Sequence, residues 1–223
     1  MPDSLPAVVD SEVKRAQLEL GQDRRELLID YLVLLEQWGR RINLTSRPEA
    51  EIVARRLLPD ALVLAASLHE DTPRTAVDVG SGSGILGLVL ALCRPQLQVL
   101  LVEPNTRKSS FLRTVAHELG LHQVTLLEER LEDTTLQPRD LACSRATWSP
   151  REWLPRGARL VAPGGVVVTL VVREPDLPQV SGLELQRIVP YSLADGTPRL
   201  MGFYVSRETC VRLAGHRDLN SEA

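Results

Sequence analysis

Between Thr75 and Gly87 the chain reads TAVDVGSGSGILG: a short apolar run, then glycines at 80, 82, 84 and 87, then a stretch that continues as the apolar helix former LVLALC. Few folds accept that order. Glycines after a strand let the backbone turn tightly and approach a ligand, while the helix that follows offers unpaired N–H groups. A second apolar run, QVLLVEP, ends at Glu103, 21 residues beyond Gly82. Next come the helical TRKSSFLRTVAHELG, closing at Gly120, the strand QVTLLEE and the strand DLACSRA. A short proline-rich helix in SPREWLPRG precedes GGVVVTLVV, LELQRIVPY and RLMGFYVSR. Continuous Val/Leu strands separated by helices predict a parallel sheet covered on both faces. The last two strands have no helix between them, so they are expected to pair antiparallel at one edge. The expected fold class is α/β, with a seven-stranded, mostly parallel sheet.

Residues 1–70 carry a different pattern and are expected to form an N-terminal helical cap. In RELLIDYLVLLEQWGRRINLT, Leu27, Leu28, Tyr31, Leu32, Leu34, Leu35 and Trp38 recur at three- and four-residue steps and mark one helix face, with Gly39 where that helix can end. Pro48, Glu49 and Glu51 look like the first turn of another helix. It runs through Arg55 and Arg56 toward Leu68, kinked or interrupted at Pro59. Residues 71–214 form the sheet domain in this reading, and the polar stretch 215–223 is expected to be disordered.

Composition narrows the classes further. The 223 residues are 43% hydrophobic, and no apolar stretch approaches the roughly 20 residues of a membrane span. The start lacks a basic segment followed by an apolar run, so a soluble cytoplasmic protein is expected. Cys93, Cys143 and Cys210 are scattered, and the four histidines show no ligand spacing, which argues against a disulfide framework and against a metal. A formal net charge of −3 argues against indiscriminate nucleic-acid binding, so any RNA contact must come from a local patch. Arg40, Arg41, Arg55 and Arg56 with Arg107 and Lys108 could form one, or could be solvated helix faces.

A carboxylate closing the second strand can accept both hydroxyl hydrogens of a ribose. Glu103 and the glycine loop therefore describe a site for an adenosine-bearing cofactor at the carboxyl ends of the strands. Gly82, Gly84 and Gly87 also satisfy the dinucleotide pattern GxGxxG, so a nicotinamide cofactor competes. However, Asp78 stands two residues before Gly80, and DxGxGxG is similar to the first motif of S-adenosylmethionine methyltransferases. That resemblance implies a class I (Rossmann-like) methyltransferase fold.

A narrower resemblance rests on more residues. WGRRINLTS, RRLLPDALVL, DVGSGSGILGLVLALCRP, LVEPNTRKSSFLRTVAHELGL, ERLED and SRA follow one another over about residues 35 to 146, and Asp195-Gly196 with Arg199-Leu200 comes later. This order resembles the RsmG (GidB) family, which methylates guanine N7 in 16S ribosomal RNA with S-adenosylmethionine. The resemblance implies that Gly80, Gly82 and Ile85 line the cofactor, that Glu103 holds its ribose, and that Leu131 and Glu132 frame the adenine. It also implies that Arg145 sits at the mouth of the pocket, and that Arg130 and Arg199 face the RNA or the target base. The implied partner is 16S rRNA or the small ribosomal subunit, met by a monomer without a metal.

The chain departs from the family at Gly39, Arg56, Ala61 and Leu86, where asparagine, histidine, serine and proline are usual. Val171-Val172 also stands where Lys-Gly is typical. A related methyltransferase on another RNA or a small molecule, or an RNA-binding relative without turnover, remains an alternative. Guanine N7 carries an unshared pair and no proton to remove, so the chemistry needs no general base.

Overall fold

The computed structural model describes residues 4–69 and 73–207; the tail expected over 215–223, and Cys210, lie outside them. Four helices come first: α1 (Leu5–Arg15), α2 (Gln22–Gly39), α3 (Ala50–Arg56) and α4 (Leu58–Ser67). The apolar stripe expected of α2 faces inward, with Leu28, Tyr31, Leu32 and Leu35 buried. Pro48 does not open α3, which begins at Ala50 with Glu49 at its N-cap. The long helix expected through Arg56 toward Leu68 is two helices broken at Leu57. Pro59 falls in the first turn of α4, where its missing N–H would have had no partner anyway. Among the described residues, no helix is long and apolar enough to cross a membrane.

The sheet follows as β1 (Thr75–Val79), α5 (Gly87–Cys93), β2 (Gln98–Val102), α6 (Thr106–Glu118), β3 (Val124–Leu127), β4 (Arg139–Cys143), α7 (Pro150–Ala158), β5 (Val161–Val171), β6 (Leu183–Ser192) and β7 (Pro198–Ser206). Seven strands lie in the order β3-β2-β1-β4-β5-β7-β6. The pairs β2–β3, β1–β2, β1–β4 and β4–β5 are parallel, whereas β7 runs antiparallel to both β5 and β6. The final hairpin therefore inserts its second strand next to β5 and leaves β6 at the edge. SRA is not strand: β4 stops at Cys143, and Ser144–Ala146 leaves the sheet.

Helices cover both faces, unequally. Side chains of α1 to α6 merge with Ala76, Leu101 and Cys143 into one apolar cluster. On the opposite face Trp153 and Leu154 of α7 pack over Val77, Val79, Leu100 and Val167. A capping box at Ser149 and Glu152 starts α7, and the Trp153 indole donates to the Val168 carbonyl at 2.8 Å. Registers Val79↔Val102 and Asp78↔Cys143 make β1, β2 and β4 end at one level. Gly80, Glu103 and Ser144 consequently emerge together.

Candidate active site

The glycine loop leaves β1 at that level. The Gly80 amide donates to the Val102 carbonyl at 2.8 Å, and the Ser81 hydroxyl donates to the Asp78 carbonyl at 2.8 Å, folding the loop back over the strand ends. The glycines have different tasks. A Cβ on Gly80 would lie 2.3 Å from Thr147 Oγ1, so this glycine lets the loop after β4 close against it. Gly84, at φ +77°, leaves room for Leu88 and Leu112, and its Cβ would lie 2.4 Å from Leu88 Cδ1. At Gly82, φ +59°, a Cβ would meet only the Gly80 carbonyl, 3.8 Å away; the rest is open space.

Glu103 is buried, and both its oxygens are held by backbone. Oε2 accepts from the Gly82 amide at 2.8 Å and Oε1 from the Asn105 amide at 3.0 Å. Each oxygen keeps a lone pair, because a carboxylate offers about four acceptor positions. Asn105 also caps α6 through the Arg107 and Lys108 amides. Asp78 lies beneath the loop at 2% exposure, its Oδ2 accepting from the Gly87 amide at 3.0 Å. Burial pushes its carboxyl up from the ordinary 3.8 to about 7, against the opposing pull of that amide.

The opposite wall comes from Ser144–Thr147. Ser144 Oγ donates to the Val79 carbonyl at 2.8 Å, and Ala146 adopts φ +56°, a left-handed conformation that L-residues avoid. This bend lays Thr147 over Gly80. Arg145 Nε donates to Asp60 Oδ2 at 2.7 Å, and the Tyr191 hydroxyl donates to Asp60 Oδ1 at 2.6 Å. From the cap, the buried Tyr31 hydroxyl donates to the Ser83 carbonyl at 2.9 Å. Burial drives both phenols well above their ordinary value, so each stays a proton donor.

These walls enclose a crevice of about 600 Å³. Gly80, Gly82, Ile85, Glu103 and Arg145, all expected from the sequence, line it together. Leu131, Glu132, Arg130 and Arg199 do not line it. Leu131 and Glu132 sit on a single turn after β3; Leu131 packs against the α7 face, and Glu132 points outward, 3.9 Å from Arg156. Arg130 is exposed at the start of that turn. Arg199 lies directly across from Tyr191 in the β6–β7 ladder, with Nη1 on the Pro198 carbonyl. A crevice of about 630 Å³ at the other end of the strands, beside Asp140, Gly164 and Phe203, has none of the loop's converging amides.

The crevice also contains residues that sequence reasoning did not assign to it. Leu44, Thr45, Ser46, Leu57, Lys108 and Thr147 line it, and Thr45 Oγ1 is buried with no hydrogen-bond partner among the described residues. Thr45 and Asp60 stand in segments that carry the family resemblance, which was their one available signal. Tyr31 reads as core from its helical spacing, and nothing local marks Tyr191.

Residues 24–175 match the GidB family, described as rRNA small subunit methyltransferase G. The chain is 39% identical over 176 residues to a "Ribosomal RNA small subunit methyltransferase G" of Alkalilimnicola ehrlichii, covering 78% of each. Among solved structures it is similar to TrmN from Thermus thermophilus, with 20% identity, a TM-score of 0.54, and 69% of this chain and 53% of that one covered. It is also similar to M. jannaschii TYW2 in complex with AdoMet, with 15% identity, a TM-score of 0.53, and coverage of 67% and 76%. The structural likenesses bear on the fold alone, an α/β methyltransferase architecture. The sequence match is decisive: the chain belongs to the rRNA small subunit methyltransferase G (GidB) family.

Proposed function

We propose that this chain transfers a methyl group from S-adenosylmethionine to N7 of a guanine in 16S rRNA, acting as a cytoplasmic monomer. Glu103 is the observation that carries the reading. Two backbone amides hold it rigid at the end of β2, beside the glycine loop, with acceptor positions left for a ribose diol. The crevice fits such a cofactor in other ways. Its volume of about 600 Å³ lies within the range of about 300–1,000 Å³ common for small-molecule sites. The space beside Gly82 admits close approach of a ligand, and Thr45 brings a hydroxyl that lacks a partner among the described residues.

In this reading Glu103 takes the ribose, while Gly80, Gly82 and Ile85 bound the methionine side. The adenine role that the family resemblance implies for Leu131 and Glu132 has only their place after β3, the neighbour of β2, to support it, since neither lines the crevice. The cofactor supplies, when bound, an electrophilic methyl carbon on a sulfonium. Guanine N7 offers a lone pair and has no proton to lose, so the protein's task is orientation. Arg145 lines the crevice, and in this reading it stands at the mouth. Outside it, the exposed Arg41, Arg56, Arg107 and Arg130, with Arg199, are available to RNA phosphates or to the target base.

The test is transfer of labelled methyl from S-adenosylmethionine to deproteinised 16S RNA and to small subunits from cells lacking this gene, with mass mapping of the modified nucleoside. 7-Methylguanosine at a single position is the expected outcome. Cofactor binding without transfer to either RNA form would overturn the assignment of substrate, and absence of binding would overturn the assignment of the site.

A further inference from the structure

Arg145 is tied to a partly buried pair that the methyl-transfer chemistry does not itself require. Asp60, in the first turn of α4, uses one oxygen for Arg145 Nε and the other for the Tyr191 hydroxyl. The partners lie 85 and 131 residues from Asp60 in sequence, so three separate segments meet at one carboxylate. Asp60 is 3% exposed. A carboxylate held at both oxygens cannot rotate without losing one bond, and the guanidinium that it receives is a planar fork whose orientation follows. Nε is committed to Asp60, and the same Arg145 side chain belongs to a residue that lines the crevice. The Tyr191 ring packs against the cap-side core as a phenylalanine would. Its hydroxyl is thus superfluous to packing and has one identified partner, the carboxylate that aims Arg145.

We infer that Tyr191 is a positioning residue for methyl transfer: acting through Asp60, it fixes the Arg145 guanidinium at the mouth of the crevice and makes the terminal hairpin part of the site. The inference rests on the functional reading above only for what Arg145 meets there. The geometry that it asserts can be measured without turnover.

Tyr191→Phe keeps the ring and removes the hydroxyl. In ¹⁵N-arginine-labelled protein, the Nε–H signal that is missing from Arg145→Lys reports the bond to Asp60. In Tyr191→Phe its exchange with water should quicken by roughly tenfold or more, as expected when a partly buried bond opens more often. Asp60→Asn should produce the same change with the Tyr191 ring intact, and all spectra are taken below each variant's melting transition. In transfer assays on small subunits, Tyr191→Phe should lower kcat/KM by about tenfold, and by less than about twofold when Arg145 is already lysine. Unchanged Arg145 exchange in Tyr191→Phe, or an equal loss of activity in both backgrounds, would overturn the inference. If the parent protein transfers no methyl group, the preceding functional reading fails, and the exchange measurement still decides whether Tyr191 fixes the Arg145 guanidinium through Asp60.

Discussion

The two walls of the crevice are built on different principles. On the β1–β2 side, Glu103 is held by the Gly82 and Asn105 amides and Asp78 by the Gly87 amide, all between residues 78 and 105. On the β4 side, Arg145 is held by the Asp60 side chain of α4, which the Tyr191 hydroxyl of β6 holds in turn. Backbone anchors survive most substitutions, because every residue but proline supplies the same N–H. Side-chain anchors fail with one change. The first arrangement suits a ligand part that does not vary; the second suits the place where a macromolecular substrate is selected.

Substitutions can break this contrast. The largest effect is expected on the side-chain wall. Asp60→Ala leaves Arg145 and the Tyr191 hydroxyl without their shared partner and should cost about 2–4 kcal/mol, reduced from a fully buried pair because Arg145 is partly solvated. Thermal unfolding measures the loss, and transfer should suffer more than cofactor affinity. Glu103→Ala should show the reverse. Stability falls by about 1–2 kcal/mol as two amides lose their acceptor, and the Kd for S-adenosylmethionine rises by roughly tenfold to a hundredfold. An unchanged Kd in calorimetry would remove Glu103 from the site.

Asp78 sharpens the contrast through pH. Its folded-state carboxyl titrates near 7, above the ordinary 3.8. The folded state therefore holds the proton more tightly than the unfolded chain, and this group's contribution to stability is present below about pH 4 and lost as pH rises through 7. Asp78→Asn should remove that loss, so the variant gains on the parent across this window in denaturant titrations. A constant difference between the two would refute the shift. The smallest effect is expected at Thr45→Val, which removes an unpartnered buried hydroxyl. Stability should stay level or rise by up to about 1 kcal/mol, while cofactor affinity drops by a few-fold. Unaltered affinity would leave Thr45 as packing only.

The backbone wall was legible in the sequence because its parts are local. A strand, four glycines, a helix and an acid 21 residues beyond Gly82 specify a turn and its anchor almost without tertiary information. The apolar stripe of α2 was legible for the same reason. The side-chain wall was only half legible. Arg145 could be taken from the family resemblance, but its bond to Asp60 spans 85 residues and that of Tyr191 to Asp60 spans 131, and no periodicity encodes either. The strand order at the hairpin was equally hidden, since two strands without an intervening helix fix their mutual pairing but not which of them borders β5. Helix limits moved by a residue or two where two signals competed, as at Pro48 and Leu57. Leu131, Glu132, Arg130 and Arg199 lie outside the crevice's lining, because a motif fixes position along the chain and not the direction of a side chain.

The Tyr31 hydroxyl bonded to the Ser83 carbonyl has a consequence for how the molecule divides. Helix α2 is not a lid that could be lifted from a finished pocket, since it props the glycine loop from behind. A chain trimmed to begin at β1 would keep every residue of the loop and still lose its scaffolding, and the apolar flank of α5 and α6 would be bared to water. The helices before the sheet are in that sense the foundation of the binding loop.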